Sequence, residues 1–288
     1  MKISLLNVRE LTPAHWEAWR AIRQDNPDLD SPYFSPEFIQ IVGKVRQDVF
    51  VAVLESHDDI HGFFPHQRRQ FGLGLPAAGR LSDFHGLIAP RDVHCDIPEL
   101  MRACGLVSWD FHALPASQTA FKPYFAGTVD SHYLDTETGL EGYEAGLRRA
   151  GSSQPRKLRV FRRKAETDFN KVEFVEHVTD AAVLDTLLEW KSQQYRASGV
   201  LDNWSYEWTR TLIRQIHALQ SEEFAGMLSA LYFDGELAAL HMGMRSRTNW
   251  HWWFPRHTDK FAKYFPGILL LYLAIERAPH LGITRIDP

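Results

Sequence analysis

Short apolar runs alternate with stretches in which apolar positions recur every third or fourth residue, and this order repeats along the chain. "KISLLNV" (2–8) predicts a strand. Thr12-Pro13 and Ser35-Pro36 each predict a helix start, with a hydroxyl before a proline at the first helical position. "DVFVAVLE" (48–55) and "FFPHQRRQF" (63–71) predict strands joined at "HDDIHG" (57–62). "IPELMRAC" (97–104) predicts a short helix and "VSWDFHAL" (107–114) a strand. After "KVEFVEHV" (171–178), Val183, Leu184, Leu187 and Leu188 have helical spacing, with Thr179 as cap and Gly199 as stop. A second helix is expected from Ser205 to about Leu219. "MLSALYFDGELAALHMGMRS" (227–246) predicts a hairpin, because Asp234-Gly235 suits the positive φ angles of a type I′ turn. The aromatic run "NWHWWFP" (249–255) predicts the next strand. Pro266-Gly267 then opens an apolar helix, Gly282 ends it, and "ITRID" (283–287) starts a last strand.

Both halves thus have the order strand, helix, helix, hairpin, strand, helix, strand, without sequence identity between them. The expected fold is α+β, with two lobes, each a mixed sheet flanked by helices. The lobes are placed at 1–137 and 169–288, joined by a helical linker at 138–168. In that linker Arg148 to Lys164 holds eight basic residues and no acidic one. Thr138 and Glu141 have capping-box spacing before it, and Pro155 allows a second helix to start. Such a stretch is either a solvated helix face or a surface for an acidic substrate or anionic membrane.

Charge elsewhere changes little. The net charge of −4 gives no general argument for nucleic acid, and no apolar run approaches a membrane span. The N-terminus lacks the shape of a signal peptide. Cys95 and Cys104 supply no disulfide framework, so a cytoplasmic location is expected, extended to the inner membrane face if the basic stretch docks there. His94, Cys95 and Cys104 lack a metal-ligand spacing. "GLGLPA" (72–77) lacks the strand–helix context of a dinucleotide site.

"SPYFSPEFIQ" (31–40), "LSDFHGLIA" (81–89), "RKLRVFRRK" (156–164), "EWKSQQYRASG" (189–199) and "KYFPGILLLYLAIERAPHLGITRID" (263–287) together resemble the CelD/BcsL-type acetyltransferases of cellulose and exopolysaccharide biosynthesis. These are GNAT-superfamily enzymes related to FemAB-like proteins. The resemblance implies two tandem GNAT-like lobes, the second binding acetyl-CoA or another acyl-CoA as co-substrate, with no metal. A glycine-opened helix after a strand offers backbone N–H donors to a pyrophosphate. Gly267 is therefore the expected cofactor contact, with Trp253, Phe254, Lys263, Phe265 and Ile268 around it. His241 is placed on a strand face beside small residues, where it could take a proton from an amine. The same residue type also serves as a structural hydrogen-bonder. Asp287 and Tyr195 are the other catalytic candidates. Trp190, Lys191, Asp83 and His85 are candidates for binding the acceptor.

The expected reaction is N-acylation of an amino sugar or related amine in exopolysaccharide or cell-envelope synthesis, on a small or lipid-linked substrate. FemAB-like transfer from aminoacyl-tRNA is a second possibility, and a non-catalytic scaffold of a polysaccharide-synthesis complex a third. Relatives continue past the position of Asp287 into further strands. The expectation is therefore that the last strand is a sheet edge, needing later residues or another chain to cover it.

Overall fold

Alternating apolar residues in the first half assemble into a five-stranded sheet in the computed structural model, which describes residues 1–57 and 59–287. The chain divides into two compact units, Met1–Asp130 and Ser131–Pro288. The first contains β1 (Lys2–Asn7), α1 (Pro13–Asp25), α2 (Pro36–Val45), β2 (Val49–Ser56), β3 (Asp59–Arg68), β4 (Leu73–Pro76), α3 (Ile97–Ala103) and β5 (Ser108–Trp109). Its strands lie in sequential order, β4 and β5 parallel and the rest antiparallel. The strand expected over 107–114 shortens to Ser108–Trp109. Asp58, within the expected 57–62 turn, lies outside the described residues.

The second unit contains β6 (Leu134–Asp135), α4 (Gly139–Arg149), α5 (Gln154–Asp168), β7 (Val172–Val175), α6 (Ala181–Ala197), α7 (Glu207–Ala218), β8 (Ala225–Phe233), β9 (Glu236–Arg245), β10 (Asn249–His257), α8 (Pro266–Arg277) and β11 (Arg285–Asp287). Its six-stranded sheet has the order β6-β11-β10-β9-β8-β7. The β8–β9 hairpin turns at Asp234 (φ 50°) and Gly235 (φ 82°), the left-handed pair that a two-residue hairpin requires. Helix α6 is capped by Asp180, whose carboxylate accepts the Ala182 N–H at 2.8 Å, rather than by Thr179. The second helix starts at Glu207 instead of Ser205.

Helices α4 and α5, the basic segment expected as a linker, pack on α8. Thr138 makes no side-chain cap there. The anchor is Glu144, 2% exposed, which accepts hydrogen bonds from Arg148, Arg159 and the Tyr272 hydroxyl. Burial opposes its charge, but these donors outweigh it and hold the carboxyl below its usual range.

Two features of the sheet place the site. First, β10 and β11 run parallel only over Asn249–His251 against Arg285–Asp287. Beyond His251 that side of β10 has no strand partner among the described residues. Second, the β9–β10 register slips between His251 and Phe254. His251 faces Met244 and Phe254 faces Met242, so two β10 residues oppose one on β9. This β-bulge changes the side-chain alternation. Trp250 and Trp252 join the core under α8, whereas Phe254 packs edge-on against Trp204 at 4.6 Å. Unbroken alternation would put Phe254 on the face of Trp250 and Trp252, and the bulge moves it to the other.

The last strand is also not an edge over its described length. Arg285 and Ile286 pair with Asp135 and Leu134 of β6. Residues N-terminal to α4 thus cover the side on which the sequence predicted an open edge. Pro288 lies outside the described residues.

Candidate active site

Where β10 and β11 part, three side chains converge. Asp287 ends β11 opposite His251 in the parallel register. Its Oδ1 lies 2.5 Å from His251 Nδ1, and its Oδ2 accepts from Asn249 Nδ2 at 2.6 Å. All three are nearly buried, at 4%, 2% and 4% exposure for Asp287, His251 and Asn249. Strand parity explains the meeting: Ile286 and Trp250 enter the core under α8, so Asp287, His251 and Asn249 project from the opposite face. A carboxylate facing Nδ1 favours the tautomer with the proton there and puts the basic lone pair on Nε2. It also stabilises the imidazolium once a proton arrives. Asp287 was expected from the sequence. His251 and Asn249 were missed, and their i, i+2 spacing opposite a terminal Asp was the available signal.

His241 occupies another role. It is fully buried, stacked on Trp252 at 3.6 Å, and its Nε2 accepts the Trp253 N–H at 3.0 Å. Burial, reinforced by His251, pushes its pKa well below the usual value, so it stays neutral. Its basic nitrogen is spent on the bulge backbone. The expectation of a base exposed to substrate is therefore corrected: His241 props the bulge. Its Nδ1 lacks a hydrogen-bond partner among the described residues.

The β10–α8 connection forms the second part. Phe265 takes a left-handed conformation (φ 54°) just before Pro266, and gives the helix no side-chain cap. The first-turn N–H groups of Gly267 and Ile268 are thus uncapped by any side chain. Phe265 stacks on Phe161 at 4.3 Å, yet is 47% exposed, and Ile268 is 49% exposed. Lys263 is exposed, 3.9 Å from Asp168 and over the Tyr264 ring. A Cβ on Gly267 would lie 3.3 Å from His257 Cδ2, so the backbone comes close to β10 there. Of the expected cofactor contacts, Lys263, Phe265, Gly267 and Ile268 gather at this helix start. Trp253 sits in the bulge, and Phe254 is 8% exposed against Trp204.

On α6, Lys191 is buried and its ammonium lies 5.1 Å from the Tyr195 ring, while Trp190 is half-buried. Asp83 and His85 belong to the first unit. Asp83 accepts from the Tyr33 hydroxyl at 3.1 Å. His85 Nε2 accepts the N–H groups of His112 and Ala113 at 3.2 and 3.3 Å, and its Nδ1 faces the Ser82 carbonyl. These backbone partners give His85 a structural task and correct its expected acceptor role. Burial, helped by His112, lowers its pKa to about 3, and burial lowers that of His66 to about 4.

Both histidines must therefore stay neutral in the folded first unit. Their folded pKa values lie below the unfolded value near 6.5, so the unfolded chain takes up protons first as pH falls. Stability is full above about pH 6.5 and declines towards pH 4, by about 3 kcal/mol per histidine in order of magnitude. Chemical denaturation of residues 1–288 at pH 7.5 and 4.5 should show that fall, and it should shrink in His66→Gln. Equal stability at both pH values would contradict it. Burial also raises the thiols of Cys95 and Cys104 to about 11 and about 12, which leaves neither as a nucleophile at neutral pH. No group of three or more metal-ligating side chains occurs among the described residues. No helix among them is long and apolar enough to cross a membrane.

Residues 152–288 match the profile of the acetyltransferase (GNAT) domain family. No curated protein sequence matches the chain. Among solved structures, FemX is similar over 100% of this chain and 88% of its own, with TM-score 0.64 and 9% identity. The C-terminal DUF2156 domain of a protein named as a lysylphosphatidylglycerol synthetase from Agrobacterium fabrum is similar over 95% and 77%, with TM-score 0.53 and 14% identity. A conserved protein of unknown function from Bacteroides thetaiotaomicron is similar over 100% and 90%, with TM-score 0.51 and 11% identity. At such identities these likenesses concern the fold. The chain therefore has an α+β fold of two GNAT-like lobes, and residues 152–288, within the second, match the acetyltransferase (GNAT) domain family.

Proposed function

We propose that the second lobe transfers an acyl group from an acyl-CoA, acetyl-CoA in the first instance, to the amine of an amino sugar or related cell-envelope precursor. The observation that carries this reading is the parting of β10 from β11 at the His251–Asp287 pair, followed along the chain by the uncapped start of α8. The unpaired side of β10 offers backbone groups to the amides of a pantetheine arm, as a sheet edge does to an added strand. Gly267 and Ile268 N–H groups, with the helix dipole, suit the pyrophosphate.

In the reaction the amine nitrogen attacks the thioester carbonyl carbon. A C–N bond forms, the C–S bond breaks, and CoA leaves as the thiol after gaining a proton. His251 takes the proton that the amine loses, directly or through a water, and Asp287 holds the resulting imidazolium. Binding both reactants beside one another supplies much of the acceleration, and no covalent enzyme intermediate is needed.

The likeness to FemX and to the synthetase domain favours one second reading, aminoacyl transfer, in which the same base serves a different donor. Calorimetric titration with acetyl-CoA and with aminoacyl-tRNA separates the two, and binding of neither would leave a scaffold. Under the first reading, Gly267→Val crowds His257 and the helix start, and is expected to weaken acetyl-CoA binding at least tenfold with a native circular-dichroism spectrum. Unchanged binding by that variant would remove the α8 N-terminus from the site.

A further inference from the structure

On the face of the second sheet that carries His251, two cations lie together without a carboxylate. Lys191 on α6 is 8% exposed. No hydrogen-bond acceptor or acidic side chain among the described residues partners its ammonium, which meets only the Tyr195 ring. Arg256 lies on β10, on which α6 packs; its charge acts on Lys191, and its buried Nε has no hydrogen-bond partner. Arg256 follows Phe254 by two residues and so shares its face, which packs against Trp204. Trp204 in turn lies 6.4 Å from Tyr195, closing the ring of contacts back to α6. Asp202, two residues before Trp204, is already committed. It accepts from the Ser192 hydroxyl at 2.5 Å and the Trp204 N–H at 3.0 Å.

A buried cation is expensive unless paired, and a second cation beside it raises that expense. Elsewhere in this lobe basic side chains meet acids, as Arg159 meets Glu144 and Arg214 meets Asp185. The surroundings of Lys191 and Arg256 are instead aromatic, with Tyr195, Trp204 and Phe254 in contact in turn. Burial and then Arg256 both push the Lys191 pKa down, as expected where a counter-charge is lacking.

We propose that Lys191 and Arg256 form a subsite for an anionic group, a phosphate or a carboxylate, on the acyl acceptor. The bulge puts this subsite on the same face as His251 and, at about 3.3 Å per residue, roughly 15 Å along β10 from it. That spacing is wider than one sugar ring and suits an extended acceptor whose reacting amine and anionic group sit at opposite ends, with the part between them against Tyr195, Trp204 and Phe254. The acceptor is then an amino sugar that carries its phosphate or carboxylate on a substituent, in preference to a neutral amine. This assignment rests on the acceptor reading above, but binding is measured without turnover, so either can fail alone.

The test is isothermal titration of the full chain, saturated with CoA so that the α8 start is filled, with inorganic pyrophosphate and, separately, with malonate. Wild type is expected to bind one of them at one-to-one stoichiometry. Lys191→Met and Arg256→Gln should each weaken that binding at least tenfold, while Lys191→Arg stays within about threefold. Binding of pyrophosphate alone assigns a phosphate, and of malonate alone a carboxylate. In buffer free of multivalent anions, Lys191→Met should also melt about 2–4 °C above wild type, because it removes an uncompensated buried charge. Three results would overturn the proposal: neither anion binding to wild type, equal binding by wild type and Lys191→Met, or loss in Lys191→Arg as complete as in Lys191→Met.

Discussion

Asp287→Asn is expected to lower the rate of acyl transfer by about 10²–10⁴-fold while leaving acyl-CoA affinity within about threefold. The amide keeps the shape of the carboxylate and can still bond to Asn249 after a flip. It cannot hold a charged imidazolium, nor enforce the tautomer that leaves His251 Nε2 basic. His251→Gln should fall by a comparable factor, and the double variant should be little worse than either single one, because the two act as a unit. The measurement is release of CoA thiol from acetyl-CoA against a panel of amino sugars, with donor affinity from calorimetry. Near-wild-type turnover in both single variants would exclude the pair as the base. By contrast, His241→Gln should lose stability and donor geometry together, since its Nε2 holds the Trp253 N–H.

Gly243→Ala should be the most disruptive small substitution in the second lobe. A Cβ at this position would lie 2.2 Å from the His251 carbonyl oxygen and 2.6 Å from His241 Cε1. Neither neighbour can retreat: the first is backbone of the bulged strand, the second is sandwiched on Trp252. Overpacking of this kind costs about 1–3 kcal/mol or more, and a drop of about 5–10 °C in melting temperature is expected. Activity should fall further than stability alone explains, because relief requires His251 to move and His251 carries the proposed chemistry. Gly127→Ala is the control, since nothing lies within 4 Å of a Cβ there and its backbone is not left-handed. A Gly243→Ala protein that melts within about 2 °C of wild type would mean that the bulge relaxes easily and that the site is not rigid.

Much of the second lobe was legible from local signals, because local physics sets them. Asp234-Gly235 needs positive φ, and two apolar runs flank it. Pro266 supplies a helix start that lacks one N–H anyway, and Gly282 ends the region with a left-handed residue (φ 73°). The periodicity of 183–188 gave α6 before any neighbour was known. The sequence also marked Asp287, the last residue of the last strand, as a carboxylate where strands separate.

Other decisions needed the assembled sheet. Thr179 and Asp180 are both competent caps, and only the path of the chain chose the second. The pairing of Leu134 and Asp135 with β11 joins residues about 150 apart, which no periodicity can announce. The choice of base turned on a single inserted residue. With unbroken alternation, 250, 252 and 254 share one face and His241 stands as the accessible imidazole. The bulge between His251 and Phe254 carries Phe254 and Arg256 to the side of α6, fills the lone pair of His241 with backbone, and leaves His251 against Asp287. At the bulge the strands approach closely, and a Cβ on Gly243 would lie 2.2 Å from the His251 carbonyl oxygen. That approach is a tertiary contact, which the alternation of either strand alone does not specify.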